Sequence, residues 1–135
     1  MPTVTINYLA VLVATFASMV LGVLWYAPFA FGKEWMKLVG LTEQDAKDNR
    51  GAPMVLMLVG SLVAAYVMAH FVGFTNATTA ADGARVGAWI GIGFVFTAAM
   101  GESIFSHKPA KLLGITGGYQ VVNLIMIGAI LAAWR

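Results

Sequence analysis

Hydrophobic and polar residues are arranged along this chain in long blocks rather than in short alternating runs. Four blocks are almost wholly apolar, at about residues 6–31, 53–74, 83–105 and 110–134. Each holds roughly 20 to 26 residues, and a helix rising about 1.5 Å per residue needs about 20 to cross a hydrocarbon core. The pattern predicts four transmembrane helices within a single domain over residues 1–135.

The composition indicates that lipid is the solvent for most of this surface. Hydrophobic residues make up 60% of the chain and charged residues only 10%, and the mean hydropathy is +0.83. A soluble domain of this size could not bury so much apolar surface. The first block lacks a basic n-region and exceeds the length of a signal-peptide core, so we expect a membrane span there. The predicted fold class is all-α, a polytopic membrane protein with a four-helix bundle.

The basic residues are concentrated in two of the three connections. Six of the eight lysines and arginines lie in the first and third connections: Lys33, Lys37, Lys47, Arg50, Lys108 and Lys111. Only Arg85 and Arg135 lie elsewhere. The positive-inside rule therefore predicts that both connections are cytoplasmic and that both termini lie on the outer, periplasmic side of a bacterial inner membrane.

The first connection contains two short stretches with structure of their own. The segment KEWMKLVG has helical spacing of apolar residues around Trp35 and predicts a short interfacial helix. A loop with one buried tryptophan is the alternative. Thr42 and Asp45 then have the spacing of a capping box, which predicts one or two exposed helical turns ending near Gly51.

Aromatic residues and prolines mark the predicted cytoplasmic ends of the helices. Pro28 is expected to end the first helix, because proline disfavours helical geometry in the residue before it. Trp25, Tyr26 and Trp35 are then predicted to anchor the chain at headgroup level. Pro109 has the position of a residue that starts the fourth helix.

Small residues recur every fourth position on the predicted spans. Close backbone contact through such residues is a common way for membrane helices to associate, because lipid tails are as apolar as leucine. Gly83, Gly87 and Gly91 form such a ridge on the third span, and Gly114 and Gly118 form one on the fourth. The stripes predict a tight bundle, with a surplus stripe for self-association. Chance is the alternative, since glycine is common in membrane helices.

Few polar residues fall within or beside the spans, and these are the candidate functional residues: Asn7, His70, Glu102, His107, Tyr119, Gln120 and Asn123. Glu102 lies about one turn before the predicted end of the third span. A carboxylate at a helix C-terminus favours a basic partner, so an ion pair with Lys108 or His107 is expected. A functional intramembrane carboxylate is the alternative.

The remaining polar candidates favour structural roles. Asn123 lies near the middle of the fourth span and is expected to hydrogen-bond to another helix, with a ligand contact as the alternative. Asn7 and His70 lie near the outer ends of their helices. For His70 a satisfied interfacial side chain is expected, with a proton relay as the alternative. The two histidines are predicted at opposite membrane faces, and the chain has no cysteine. We therefore expect no metal site and no cofactor.

A set of short motifs lies towards the two ends of the chain: Asn7, Leu24-Trp25-Tyr26-x-Pro28, Phe31-Gly32-x-x-Trp35, Lys108-Pro109-x-Lys111, Gly118-Tyr119 and Gly128-Ala129-Ile130-Leu131. In these features the chain resembles the DUF1761 family of small bacterial membrane proteins of unknown function. In the family pattern an acidic residue is common at the position of Ser106 and histidine at that of Gln120. These departures disfavour required proton chemistry at both positions. The resemblance implies a membrane protein and no particular reaction.

These observations lead to an expected function and an alternative. We expect a small integral membrane protein without a catalytic site, either an accessory or scaffold subunit or a self-associating component. The alternative is an oligomeric transporter or channel for a small solute or ion. No Ser/His/Asp arrangement or paired carboxylates indicate an enzyme. The expected partners are the lipid bilayer and a second copy or another membrane subunit, with no nucleic acid.

Overall fold

A computed structural model describes residues 1–48 and 50–135 of the chain. These residues form helices and connections and contain no β-strand. The helices are α1 (Tyr8–Trp25), α2 (Gly32–Val39), α3 (Glu43–Asp48), α4 (Gly51–Phe74), α5 (Ala80–Ile90), α6 (Thr97–Phe105) and α7 (Ala110–Ala133). A π-helical segment, Gly91–Phe96, joins α5 to α6 without a break.

Among the described residues, four helical units are long and apolar enough to span a membrane: α1, α4, the continuous unit Ala80–Phe105 and α7. This confirms the predicted all-α fold class. The first span is shorter than predicted, because α1 ends at Trp25 rather than at Phe31. The N–H of Tyr26 closes the last turn on the carbonyl of Gly22 at 3.0 Å, and Pro28 prevents the helix from continuing.

Side-chain caps fix the starts of three helices. The Asn7 side chain accepts a hydrogen bond from the N–H of Ala10 at 3.1 Å and begins α1. At α3, the N–H of Asp45 donates to Thr42 Oγ1 at 3.2 Å and the N–H of Thr42 donates to Asp45 Oδ2 at 3.0 Å. This is the capping box that the sequence predicted there. Thr79 caps α5 in a similar way through the N–H of Asp82.

The segment after α1 is helical, so the helix prediction for residues 32–39 is confirmed over the loop alternative. The turn that leads into α2 requires glycine, because a Cβ at Gly32 would overlap the carbonyl oxygen of Tyr26. The helix ends at Gly40, whose φ of 75° is left-handed.

Glycines allow α5 and α7 to pack in backbone contact. A Cβ at Gly83 would overlap the carbonyl oxygen of Gly128, and a Cβ at Gly87 would overlap that of Leu124. At Gly91 a Cβ would lie 3.1 Å from Val121 Cα. The glycine ridge of the third span therefore lies against the fourth span of the same chain.

The glycine pair predicted on the fourth span behaves differently. A Cβ at Gly118 would reach ordinary contact with Trp25 Cζ2, at 3.6 Å, whereas a Cβ at Gly114 would meet no atom within 4 Å. Gly114 is exposed, so it does not lie in a helix contact within the described part of the chain. Spacing alone could not separate these two positions, because the rotation of α7 decides which of them faces a neighbour.

The core lies where α1, α4 and α7 meet. It is built around fully buried side chains that include Ala14, Ala65, Met68 and Ile127. Large apolar side chains on the opposite faces point outward, as lipid-facing residues do, and Phe16 is 72% exposed. We call the end with residues 1–7, 75–79 and 134–135 the terminal end. The other end, with α2, α3 and residues 106–109, is the α2 end.

Candidate functional site

Aromatic side chains cluster at the α2 end, between α1, α2 and α7. The ring of Tyr26 lies 5.4 Å from that of Trp35 and 5.5 Å from that of Tyr119, between ring centroids. Trp25 stacks 4.9 Å from Phe31, and its Nε1 donates a hydrogen bond to the carbonyl of Ile115 at 3.0 Å. Two of the predicted anchors, Trp25 and Tyr26, therefore connect helices as well as lying near a helix end.

Three cavities adjoin this cluster, with volumes of about 190, 540 and 330 Å³. The first two share Trp35, Ala99 and Thr116, and the last two share Tyr26, Met57 and Tyr119. We call these three cavities, which adjoin one another at those six shared residues, the aromatic groove. Its 540 Å³ section lies between α4, α6 and α7, and its wall residue Met57 remains 46% exposed. The groove therefore opens sideways, at the depth of the spans.

Charged side chains lie at the two ends of the aromatic groove. Glu102 and Lys108 line the 190 Å³ cavity, and Lys108 Nζ donates to Glu102 Oε1 at 2.6 Å. Both side chains are exposed. The partner of Glu102 is therefore Lys108. His107 lies after the end of α6, where it is exposed and has a left-handed backbone with φ of 54°. At the other end, Arg50 lines the 330 Å³ cavity.

A second ion pair holds α2 against α7. Lys111 Nζ lies 2.9 Å from Glu34 Oε1. The hydrogen bond from Lys111 and its positive charge lower the pKa of Glu34 from its ordinary value of 4.5. Because the pKa of Glu34 is lowered in the folded state, this contact makes its full contribution to folding stability above pH 4.5. That contribution is lost as the pH falls through the lowered pKa. The Glu34 carboxylate of this ion pair is therefore charged at neutral pH.

Buried polar groups connect the spans near the middle of the bundle. Ser18 Oγ donates to Ser61 Oγ at 3.3 Å, which links α1 to α4. Tyr119 OH donates to the carbonyl of Ser18 at 3.3 Å, which links α7 to α1. Asn123 is 5% exposed, and its Oδ1 has no hydrogen-bond partner among the described residues. The interhelical bond expected of Asn123 is therefore absent at that oxygen, because no donor of a neighbouring helix reaches it.

The other polar candidates lie apart from one another. Gln120 is exposed and lines the 540 Å³ cavity. His70 Nδ1 lies 3.0 Å from the carbonyl of Tyr66, one turn earlier on α4. Asn7 lies at the terminal end, where its Nδ2 donates to the carbonyl of Trp134 at 2.9 Å. Within residues 1–48 and 50–135, no three histidine or acidic side chains come together as metal ligands would.

The π-helical segment is a feature that the sequence analysis missed. Such segments are rare and are often found at functional sites. Here the ring of Phe96 lies over α7, so that a Cβ at Gly117 would come 2.8 Å from Phe96 Cδ2. The segment leads directly into α6, which carries Ala99 and Glu102 to the aromatic groove. Hydrophobic pattern gives no signal for it, because α and π turns bury similar residue types.

The fold and its groove define an all-α bundle of four helices that can each span a membrane, with its charged side chains at the two ends. The sequence pattern of the DUF1761 family, described as proteins of unknown function, matches residues 9–132. The chain belongs to this family, which confirms the resemblance. Comparison with curated proteins finds no match, and comparison with solved structures finds none either.

Proposed function

We propose that this protein is a non-catalytic component of the cell membrane, serving as an accessory or scaffold subunit or as a self-associating unit. The supporting observation is the 2.6 Å contact between Lys108 and Glu102. Glu102 is the acidic residue that lies deepest in an apolar block of the sequence. Its lysine partner supplies a structural reason for its presence, because the pair links the end of α6 to the turn between the third and fourth spans.

Other acidic side chains at the bundle ends have comparable structural partners. Glu34 joins α2 to α7 through Lys111, and Asp82 lies 3.3 Å from Arg85 on the first turns of α5. Asp45 accepts hydrogen bonds from the backbone and hydroxyl of Thr42, which lower its pKa. Carboxylates that hold ends together are what a scaffold requires, whereas a proton carrier needs a carboxylate that exchanges its proton during transport.

The test is Glu102→Gln in the purified protein, reconstituted into vesicles that contain a pH-sensitive dye. Glutamine keeps the shape of the side chain and removes the charge. Because exposed ion pairs contribute little to stability, we expect the variant to fold and assemble nearly as the wild type does. We also expect proton movement across candidate cation gradients to be the same in both proteins. Glu34→Gln is the matched control, since it breaks the other lysine–glutamate contact at the α2 end.

A wild-type proton flux that disappears in Glu102→Gln and persists in Glu34→Gln would contradict the scaffold proposal. That result would assign Glu102 to coupled transport, because glutamine cannot release a proton. Loss of assembly in both variants, without any flux in the wild type, would contradict the expectation that these exposed contacts contribute little to stability.

An oligomeric transporter or channel for a small solute or ion is the second candidate. The observation that favours it is the unpartnered Oδ1 of the buried Asn123, one turn from Tyr119 at the aromatic groove. A buried polar oxygen without a protein partner inside a span can contact a permeating solute once the surrounding helices separate to admit it. A solute flux in vesicles that Asn123→Leu abolishes would support this candidate over the first.

A further inference from the structure

The aromatic groove combines an apolar length with a charged end, which is the pattern of an amphiphile site. Its 540 Å³ section is within the range of about 300 to 1,000 Å³ that is typical of small-molecule sites. Met57, Ala99 and Gly117 give that section a mostly apolar wall. The adjoining 330 Å³ section is bounded by Arg50 at the start of α4. A molecule that enters sideways therefore meets apolar surface first along the spans and a guanidinium at their end.

The charge available at this end of the groove is positive. Arg50 Nε donates to the carbonyl of Ala46 at 3.4 Å, and no carboxylate among the described residues lies within ion-pair distance of Arg50. Of the three acids of α3, Asp45 accepts from Thr42 and Asp48 accepts from Gln44, and neither these two nor Glu43 forms an ion pair with Arg50 among the described residues. A guanidinium binds phosphate with paired hydrogen bonds, which suits an anionic head group.

From this arrangement we infer that the aromatic groove binds one anionic phospholipid of the leaflet that surrounds the α2 end. An acyl chain occupies the 540 Å³ section between Met57 and Ala99, and the phosphate contacts Arg50. Tyr26 and Trp35 border the chain near its head group, at the depth where amphipathic rings are favoured. Basic pockets between membrane helices are known sites for anionic head groups. Such a site is compatible with either of the functions proposed above.

A second copy of the chain fits the groove less well than a lipid. The carboxylates that lie on the described spans, Asp82 and Glu102, are already paired with Arg85 and Lys108, so a docked helix would leave Arg50 without a counter-charge. The α2 end carries six basic and five acidic side chains, so a symmetric contact between two copies gains little from charge there. An anionic lipid supplies both the apolar chain and the negative charge.

The experiment is native mass spectrometry of the detergent-purified protein after incubation with phosphatidylglycerol or phosphatidylcholine of identical acyl chains. For the wild type we expect one retained lipid per chain. Both head groups contain a phosphate, but only phosphatidylglycerol has a net negative charge, so we expect a preference for phosphatidylglycerol of about fivefold, the effect of one basic side chain near a net negative head group. Arg50→Gln should remove the preference, so that the ratio of retained phosphatidylglycerol to retained phosphatidylcholine falls to about one. Lys47→Gln, which removes an exposed cation outside the groove, should leave the preference unchanged.

A second pair of variants tests the acyl chain. Ala99→Phe places a ring in the groove and should remove the retained lipid, whereas Ala98→Phe, at the exposed neighbouring position outside the groove, should not. Equal retention of the two lipids, or full retention by Ala99→Phe, would overturn the inference. A wild-type dimer that Ala99→Phe dissociates, without bound lipid, would identify a second copy as the occupant. Arg50→Gln keeps the inference testable if Ala99→Phe does not fold.

Discussion

At the scale of single residues, Asn7, which caps α1, and Asn123, within α7, have opposite surroundings. Asn7 uses both ends of its amide, accepting from the N–H of Ala10 and donating to the carbonyl of Trp134. Asn123 is buried in α7, and its Oδ1 has no partner among the described residues. An unsatisfied buried polar atom costs about 1 to 3 kcal/mol, which exceeds the net contribution of a typical hydrogen bond. Asn123 therefore lowers the stability of the fold, whereas Asn7 stabilises the terminal end.

This contrast predicts the effect of replacing each asparagine with leucine. Asn123→Leu should leave the Tm in detergent unchanged or raise it, because leucine has a similar size and needs no hydrogen bond. Asn7→Leu should lower the Tm, since it removes a helix cap worth about 1 kcal/mol and a bond to α7. Thermal unfolding followed by circular dichroism measures both. If Asn123→Leu lowers the Tm as much as Asn7→Leu does, the Asn123 amide has a stabilising partner.

At the scale of elements, the closest helix contact in the described chain joins α5 to α7. Gly83 and Gly87 bring the α5 backbone directly onto the carbonyls of Gly128 and Leu124. Dispersion contacts at such short range are the main attraction between membrane helices, because lipid competes equally for apolar side chains. The glycine ridge is therefore used within one chain, so self-association has to use other surfaces.

Gly87→Leu should separate α5 from α7, because a Cβ there overlaps the carbonyl oxygen of Leu124. Overpacking of this kind typically costs about 1 to 3 kcal/mol, so we expect a lower Tm in detergent. Gly101→Leu is the matched control on the same span, since a Cβ at Gly101 meets no atom within 4 Å. Equal melting temperatures for both variants would show that the α5–α7 contact does not limit stability.

At the scale of the whole molecule, the charges are distributed unequally between the two ends of the bundle. The α2 end carries six of the eight lysines and arginines, and two of these, Lys108 and Lys111, form ion pairs with Glu102 and Glu34. The terminal end carries Arg85 and Arg135, the latter bonded to the carbonyl of Ala77 at 3.1 Å. Under the positive-inside rule, this asymmetry favours a cytoplasmic α2 end.

Single cysteines in this cysteine-free chain test the orientation. In intact cells, a cysteine at Lys47 should be protected from a membrane-impermeant thiol reagent, and one at Thr78 should react. Both positions are exposed, so burial does not account for a difference between them. Permeabilised cells provide the control, in which both cysteines should be labelled. Labelling at Lys47 and protection at Thr78 in intact cells would show that the orientation is opposite to the predicted one.

The sequence by itself determined the helical class, the number of spans and the family. Each span is encoded in one continuous block of apolar residues, and in lipid such a block has to satisfy its backbone hydrogen bonds internally, as a helix does. The Thr42 cap of α3 could also be predicted, because its partner Asp45 is three residues away. These features depend on residues close together in the chain, where spacing and composition are sufficient.

Only the tertiary structure decided which side chains meet. The contact between Trp25 and the carbonyl of Ile115 joins residues 90 positions apart, and the aromatic groove combines side chains from α1, α2, α4, α6 and α7. The contact at Gly87 and its absence at Gly114 likewise depend on how each helix is rotated about its axis. Periodicity places residues on one face of a helix, but packing between distant segments determines where that face points.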